Sequence, residues 1–347
     1  MDSIIFIGSI NLGGIADDGE TMKNRMLISA LSNHNIGKIH IIDTRNRPRR
    51  ILYLLKYIIL LLFFRRNKII FSASSFVTYK LIRIANLLHA NFNNVYYWVI
   101  GGKFADYVEE NRINKQIYIK VKKIFVEGES MKQKLDNLGF SNIEVFPNFK
   151  DITYIPQRKT ETNGVLRFVF LSRIIPQKGV DIIIDAAKIL NKRYPGVFIV
   201  DFYGKIEPSY ESDFLTAIHG EKNINYQGFL NLTGKSGYDQ LASYDVMLFP
   251  TFWEGEGFPG IIIDAYIAGL PIIASDWNLN TQIIKDGLTG NIIPPKNTDA
   301  LVNIMIKYIT KEIDITTMSK HAQNTAKSFH INNVITSSFL RNIGLLS

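Results

Sequence analysis

The chain has 347 residues, of which 46% are hydrophobic and 20% are charged, a globular composition long enough for two domains. It has no cysteine, and its six histidines lack the paired spacing of zinc ligands, so we expect neither disulfides nor a metal site. The net charge is +9, and residues 1–150 hold the excess, with 22 basic and 12 acidic residues. This asymmetry predicts an anionic partner for the first half.

The predicted elements of the first half alternate between short apolar strands and longer helices. Strands are predicted at IIFIGS, KIHIID, KIIFSAS, VYYWVIGG, KKIFVEG and IEVFPN, and helices at GETMKNRMLISALSNH, RRILYLLKYIILLLFF, FVTYKLIRIANLLHA and SMKQKLDNLG. Such alternation predicts a parallel, doubly wound sheet. The opening MDSIIFIGSI resembles a strand more than a signal peptide, and no apolar run reaches the roughly 20 residues of a membrane span. We therefore expect a cytoplasmic protein.

A polar linker, FKDITYIPQRKTETNGV, separates this half from a second α/β pattern. Strands are predicted there at LRFVFLSR, VFIVDFYG, INYQGF, VMLFPT and PIIAS, and helices at GVDIIIDAAKILNKRY, GYDQLASY, GIIIDAYIAG, TQIIKDG and the terminal stretch. The sequence thus predicts two Rossmann-like domains that face a cleft, with ligands at the carboxyl ends of the strands.

The segment FPTFWEGEGFPGIIIDAYIAGLPIIASDW places two acids around a Gly/Pro turn. Glu256 lies in the loop after a predicted strand, and Asp264 lies in the early turns of a helix, with seven residues between the two acids. The first backbone N–H groups of that helix suit a phosphate, and Gly257 and Gly260 allow close approach to a ligand. Donors for an anion and acids for hydroxyls are the chemistry of a nucleotide-sugar site, although a buried helix with two chance acids would give the same spacing.

Two cations follow the first strand of the second half, in LSRIIPQKG. Arg173 and Lys178 are predicted at the same sheet edge as Glu256. A charge pair at 4 Å contributes about 4 kcal/mol at an effective dielectric of 20, against roughly 0.3–2 kcal/mol for a helix N-terminus. We therefore expect the two cations to dominate stabilisation of a leaving diphosphate, unless they are ordinary solvated bases.

The pattern R-x4-K-G followed by EGFPGIIIDAYIAGLPIIAS resembles the retaining glycosyltransferases of family 4, which have the GT-B fold. The resemblance covers the second half and extends to GGIADDGETMKNR, VIGG and VFPN in the first half. It implies an acceptor-side domain at 1–150, completed by a helix at about 328–347 that crosses back, and a nucleotide-sugar-binding domain at 151–327.

The resemblance also assigns roles to individual residues. Arg173 and Lys178 would bind the donor diphosphate, Glu256 would contact donor-sugar hydroxyls, and Asp264 would hold the ribose. The backbone of Gly257, Phe258, Pro259, Gly260 and Ile261 would contact sugar and phosphate, Phe229 and Leu230 would border the nucleobase, and Gly13, Gly14, Gly101 and Gly102 would face the acceptor or the phosphates. It implies a UDP- or GDP-sugar as donor, a glycan or lipid-linked acceptor, no cofactor and no metal.

The sequence departs from the family pattern in two places, because Asp264 replaces the usual Glu and FPG replaces the usual FGLP order. Glu254 also competes for the role given to Glu256. Many members also carry a His in the first domain, where this chain has VIGGKF. The acids of ADDGE, Asp17, Asp18 and Glu20, are expected to be a solvated helix start. The sequence therefore indicates no protein base. The resemblance implies front-side attack, which needs no such base because the leaving phosphate can take the acceptor proton.

The segment Arg45–Lys68 contains eight basic residues and no acid around the apolar run ILYLLKYIILLLFF. One interpretation is a helix lying in an anionic membrane surface. The other is a core helix with basic ends.

The favoured function is transfer of a sugar from a nucleotide sugar to a glycan or lipid-linked acceptor in bacterial surface polysaccharide assembly. The alternatives are a GT-B-fold nucleotide-sugar epimerase or a non-catalytic sugar-nucleotide-binding subunit. Nucleic acid is not an expected partner, because the basic segments lack a recognition motif.

Overall fold

The structure, a computed structural model, describes residues 3–14, 18–45, 50–63, 67–88, 91–158 and 164–346. They form two compact units. The first comprises Met1–Asp151, Gly255–Phe258 and Phe329–Ser347, and the second comprises Ile152–Glu254 and Pro259–Ser328. Part of the predicted linker, residues 159–163, lies outside the described residues.

The first unit is built on a six-stranded sheet in which every described pair of strands is parallel. Its strands β1–β6 are Ile4–Gly8, Ile39–Asp43, Lys68–Ser72, Val95–Trp98, Lys123–Val126 and Ile143–Val145. Its helices α1–α6 are Gly19–Asn33, Arg50–Phe63, Ser75–Leu87, Phe104–Glu109, Lys115–Tyr118 and Glu129–Asn137. All five residues of β1 are buried, as expected for a parallel strand covered on both faces.

The second unit repeats this architecture with a second six-stranded parallel sheet. Its strands β7–β12 are Leu166–Leu171, Phe198–Tyr203, Ile224–Tyr226, Val246–Phe249, Ile272–Ser275 and Gly290–Ile293. Its helices α7–α13 are Val180–Arg193, Glu211–Ile218, Lys235–Leu241, Gly260–Ile267, Asn280–Ile283, Thr298–Ile309 and Ile315–Ala326. Short 3-10 turns occur at Phe92–Asn94, Pro176–Lys178 and Lys327–Phe329.

Each sheet has a point where the chain reverses the direction in which it adds strands. The strand order is β2-β1-β3-β4-β5-β6 in the first unit and β12-β11-β10-β7-β8-β9 in the second. The reversal therefore lies between β1 and β3, and between β7 and β10. In open α/β sheets, the carboxyl ends of the strands at this reversal are where ligands bind.

The last described residues return to the first unit as two short helices, α14 (Ile331–Val334) and α15 (Ser337–Asn342). Leu340 and Ile343 are buried there, in one cluster with Phe6 and Trp98. The Tyr96 hydroxyl also donates a hydrogen bond of 2.8 Å to the Ile343 carbonyl. Apolar burial therefore attaches this segment to the sheet of the first unit.

All the predicted strands appear, but some shorter elements were missed. The sequence analysis predicted neither α4 nor α8, and it ended the second sheet before β12. The β12 sequence GNII offers two apolar residues, too few to establish a period of two. Its position is set by parallel pairing with β11, a contact that local sequence does not encode.

Helix α2 buries one side and exposes the other. Tyr57, Leu60 and Leu61 are buried, whereas seven large apolar residues are exposed. One of the seven is Leu54, at 38% exposure. The other six, which we call the α2 apolar face, are Ile51, Leu52, Leu55, Ile59, Leu62 and Phe63. Among the described residues, no helix is both long enough and apolar enough to cross a membrane. The sequence shows that this run is apolar nearly all round, and the structure adds that only one side of the helix is packed.

Candidate functional site

Two predicted cations of the second unit lie beside one aromatic ring. Arg173 follows β7, where the sheet reverses, and Lys178 ends the 3-10 turn just before α7. The Arg173 guanidinium carbon lies 4.7 Å from the centre of the Trp253 ring, and Lys178 Nζ lies 4.6 Å from it. Arg173 is exposed, whereas Lys178 is only 4% exposed. The structure therefore brings the two predicted diphosphate ligands together.

The backbone around these cations is tied to the end of β10. The Phe252 N–H donates to the Gln177 carbonyl at 2.8 Å. Gly179 has a φ of 79°, and a Cβ there would overlap the carbonyl oxygen of Pro250. Only glycine combines that positive φ with such close contact. The position of Lys178 relative to Trp253 therefore depends on the glycine that ends the motif.

Trp253 is a site residue that the sequence analysis missed. It lies in the loop after β10, four residues beyond the strand end, where ligand-binding side chains of open sheets collect. An aromatic residue beside two acids in TFWEGEGF was the available signal. Sequence alone does not place this ring against Arg173 and Lys178, because their loops are about 75 positions apart.

Helix α10 begins as predicted, with Pro259 as its N-cap and Gly260 as its first residue. Asp264 is 4% exposed, and one of its oxygens accepts a hydrogen bond of 2.7 Å from the Tyr238 hydroxyl. Burial, and then the neighbouring Asp264, raises the pKa of Tyr238, so the phenol stays protonated and donates. Tyr238 on α9, which the sequence analysis did not single out, therefore fixes the orientation of the predicted ribose ligand.

The predicted nucleobase segment follows β9. The side chain of Phe229 is 73% exposed, and Leu230 is half-buried. Gly228, with a φ of 77°, accepts a hydrogen bond of 2.8 Å at its carbonyl from the Gly204 N–H. This bond joins the turn to the end of β8 and leaves the Phe229 ring open to solvent, where a flat base could stack on it.

The loop Gly255–Phe258 belongs to the first unit, although the sequence analysis included it in the 151–327 domain. Glu127, which follows β5, accepts a hydrogen bond of 2.8 Å from the Phe258 N–H. Its other oxygen lies 2.6 Å from Lys23 Nζ, and both side chains are at least nine-tenths buried. Asn148 donates to the Phe258 carbonyl at 3.0 Å. Glu127 and Asn148 therefore hold the loop backbone, and Lys23 of α1 fixes Glu127.

The two competing acids differ in burial. Glu256 is 8% exposed and lies in the loop held by Glu127, whereas Glu254 is exposed and belongs to the second unit. A side chain at Gly257 would overlap Glu127 Oε2. The glycine after Glu256 is therefore required by the packing of this loop in the first unit.

The glycine loop after β1 is braced from both sides. Asp43, at the end of β2, accepts hydrogen bonds from the N–H groups of Ile10 and Leu12 at 3.1 and 2.8 Å. Arg25 donates to the carbonyls of Ile10, Asn11 and Gly14. Gly13 and Gly14 are both exposed, so this loop presents backbone to solvent in a fixed shape. Gly101 and Gly102 follow Ile100, which pairs with Ser74 in an isolated bridge at the same sheet edge.

The acids of ADDGE do not form a uniformly solvated helix start. Asp18 caps α1 by accepting from the Thr21 N–H at 2.8 Å, and Asp17 lies outside the described residues. Glu20, in contrast, is half-buried between the ends of β1 and β3, where the backbone N–H groups of Ser74 and Ser9 donate to it. Burial raises its pKa to about 7, and these hydrogen bonds offset only part of that effect. The expectation of solvation is thus wrong for Glu20.

No described group of three or more His, Cys, Asp or Glu side chains could hold a metal ion.

Comparison with solved structures identifies the fold. A lipopolysaccharide outer core galactosyltransferase, WaaB, superposes with a TM-score of 0.69 at 16% identity, over 96% of each chain. The sucrose-phosphate synthase of Thermosynechococcus elongatus superposes with a TM-score of 0.72 at 13% identity, over 99% of this chain and 98% of that one. With its two six-stranded parallel sheets, the chain has the GT-B fold.

Curated relatives match part of the sequence. An Escherichia coli UDP-Gal:alpha-D-GlcNAc-diphosphoundecaprenol alpha-1,3-galactosyltransferase is 28% identical over 45% of this chain and 40% of its own length. A phosphatidyl-myo-inositol mannosyltransferase of Mycobacterium tuberculosis is 24% identical over 56% of this chain and 51% of its own length. The chain thus matches about half, or less, of the length of these relatives. Residues 151–328 match the family described as Glycosyl transferases group 1, and because this match covers more than half of the sequence, the chain belongs to that family.

Proposed function

We propose that this protein is a retaining glycosyltransferase of family 4 that moves a sugar from a UDP- or GDP-sugar to a glycan or lipid-linked acceptor. The proposed setting is bacterial surface polysaccharide assembly. Support comes from the family, and from relatives that include an amylovoran biosynthesis glycosyltransferase of Erwinia amylovora and a protein of the cps region of Klebsiella pneumoniae.

The observation that carries the proposal is the pair of cations at the reversal point of the second sheet. Arg173 and Lys178 both lie within 5 Å of the Trp253 ring centre, so one diphosphate can reach both. Transfer breaks the bond between the anomeric carbon and a phosphate oxygen, and the electron pair goes to the leaving diphosphate. Two cations beside that oxygen stabilise the charge as it develops. We call this pair the diphosphate clamp.

Three further features of the second unit support donor binding there. The N–H groups at the start of α10 are directed toward the loop after β10, as a phosphate site requires. Tyr238 orients the Asp264 carboxylate by a hydrogen bond, and we assign this carboxylate to a ribose hydroxyl. Phe229 gives the base an exposed ring. Two solved structures of an Anabaena protein, HepE, contain UDP or UDP-glucose, which supports a uridine nucleotide as the first donor to test.

In the first unit, we assign Gly13, Gly14, Gly101 and Gly102 to the acceptor side. Their loops follow β1 and β4 at the carboxyl edge of the sheet. We assign Glu256 to the donor-sugar hydroxyls in preference to Glu254, because its burial makes its carboxylate a less hydrated and more directional acceptor of hydrogen bonds.

The test measures binding and turnover separately. Calorimetric titration with UDP and GDP should show binding to the wild type. Arg173→Ala or Lys178→Ala should weaken the affinity by about tenfold or more, because each removes a charge-assisted hydrogen bond to phosphate. Release of nucleoside diphosphate from a panel of nucleotide sugars should depend on added membrane lipid extract. Glu256→Gln should lower that release far more than Glu254→Gln.

Two results would contradict the proposal. One is full nucleotide affinity in both clamp variants while their melting temperatures match the wild type. The other is product whose anomeric proton coupling differs from that of the donor sugar, because a retaining enzyme keeps the configuration.

We further propose that the protein binds an anionic membrane surface through the α2 apolar face. The face exposes six large apolar side chains, and the surrounding segment Arg45–Lys68 has eight basic residues and no acid. Apolar burial with flanking positive charge is the pattern of an interfacial helix. A lipid-linked acceptor would be reached from that surface.

A further inference from the structure

The two clamp residues share an aromatic neighbour instead of each having its own. Arg173 and Lys178 lie 4.7 and 4.6 Å from the centre of the same Trp253 ring. Two positive charges beside the same ring repel each other. Indole is the aromatic side chain that attracts cations most strongly, so this ring favours keeping both charges beside it and offsets part of their repulsion.

Trp253 is itself held in place by the backbone. Its carbonyl accepts a hydrogen bond of 2.9 Å from Trp277 Nε1, and its N–H donates to Thr251 Oγ1 at 3.3 Å. The preceding residue, Phe252, is hydrogen-bonded to Gln177, one position before Lys178. The ring therefore offers a fixed surface to side chains that are otherwise long and rotatable.

Contact with the ring does not use up the hydrogen-bond donors of the two cations. A guanidinium that lies over an aromatic ring keeps its in-plane N–H groups available, and an ammonium group directs only part of its three donors at a ring face. A phosphate can thus bind both residues while they remain beside Trp253. The rotamer freedom that each long side chain would lose on binding is already restricted by the ring.

We propose that Trp253 is the positioning residue of the diphosphate clamp, which holds Arg173 and Lys178 where an incoming diphosphate needs them. This inference rests on the proposed function and adds to it a residue that acts through the two cations. It also assigns a role to the tryptophan of TFWEGEGF that the family motif leaves open.

The first experiment titrates inorganic pyrophosphate and UDP into the full-length protein and its variants by calorimetry. Trp253→Leu should weaken both ligands about three- to tenfold, whereas Trp253→Phe should stay within about threefold of the wild type, because the weaker aromatic ring still attracts cations. The matched control is Phe252→Leu in the same loop, whose ring contacts Lys296 at 4.8 Å, and which should leave both affinities unchanged.

The second experiment is a mutant cycle that separates positioning from general support of the loop. In the Arg173→Ala/Lys178→Ala background, Trp253→Leu should have no further effect on pyrophosphate affinity, because the residues through which it acts are gone. The inference is overturned if Trp253→Leu weakens binding equally in both backgrounds, or if Phe and Leu at this position give the same loss. Full pyrophosphate affinity in the Arg173→Ala/Lys178→Ala protein would instead refute the diphosphate clamp of the proposed function.

Discussion

At the scale of single residues, Glu20 is the carboxylate whose surroundings depart most from its sequence context. The motif ADDGE is typical of a solvated helix start, and Asp18 does act as an N-cap. Glu20, two residues later, is enclosed by the ends of β1 and β3, and its pKa rises from 4.5 to about 7. Its burial depends on Ser74, which is far away in sequence, so the motif could not have predicted it.

Glu20 should make the stability of the protein depend on pH. Its pKa is higher in the folded chain than in the unfolded chain, so between about pH 4.5 and 7 the unfolded state releases a proton that the folded state keeps. Stability should therefore fall as pH rises through this window. The glutamine of the Glu20→Gln variant cannot titrate, so the variant should be more stable than the wild type as pH rises. The difference in the free energy of unfolding should approach about 3 kcal/mol above pH 7, because one pKa unit corresponds to about 1.4 kcal/mol.

Urea unfolding of both proteins at pH 5 and pH 8 measures this effect. The control is Glu110→Gln, the same chemical change at an exposed position. A stability difference between Glu20→Gln and wild type that is equal at the two pH values would show that Glu20 does not carry the shift.

At the scale of elements, α2 shows how far periodicity alone can predict. The apolar run ILYLLKYIILLLFF correctly indicated a helix, and the observed helix is Arg50–Phe63. Because the run is apolar nearly all round, its sequence could not say which side packs. Packing on the sheet buries Tyr57 and Leu60 and leaves the α2 apolar face uncovered in the described unit.

Binding of this element to membranes is testable with vesicles. Wild-type protein should sediment with vesicles that contain phosphatidylglycerol and far less with pure phosphatidylcholine, since each basic residue near an anionic surface contributes roughly 1 kcal/mol. Replacement of Ile51, Leu55 and Ile59 by Ser should reduce sedimentation. Replacement of four arginines by Ala should also reduce sedimentation. The four are Arg49, Arg50, Arg65 and Arg66, and all but Arg50 lie outside the described residues.

A matched control carries three Leu→Ser changes at exposed leucines elsewhere, Leu87, Leu215 and Leu288. This control should sediment like the wild type. Equal sedimentation of the α2 variant and the control would refute membrane binding through the α2 apolar face.

At the scale of the whole molecule, each compact unit is built from segments that are not contiguous in sequence. The residues from Phe329 onward and the short loop Gly255–Phe258 belong to the first unit. A crossing C-terminal helix was predicted by family resemblance, whereas the loop had been assigned to the second domain. The loop is held by Glu127 and Asn148, more than one hundred residues away in sequence.

The returning segment should therefore stabilise the first unit in particular. Leu340 is fully buried. Leu340→Ala should therefore lower the free energy of unfolding by about 2–5 kcal/mol, the usual range for a buried leucine. Hydrogen exchange should show lost protection in β1, β3 and β4, with less change in β7, β8 and β10. Leu87→Ala, at a 76% exposed position, is the control, and an equal loss of protection in both variants would contradict this assignment.

The sequence by itself determined two parallel α/β sheets, the start of α10 at Gly260, and the residue types of the diphosphate clamp, because strand and helix periodicity and Gly/Pro turns are local properties. Tertiary structure alone decided that Trp253 lies beside both Arg173 and Lys178, that Tyr238 orients Asp264, and that Glu20 is half-buried. These contacts join loops and helices that follow different strands. Only the order in which the strands pair brings such segments together, and that order is a property of the folded sheet.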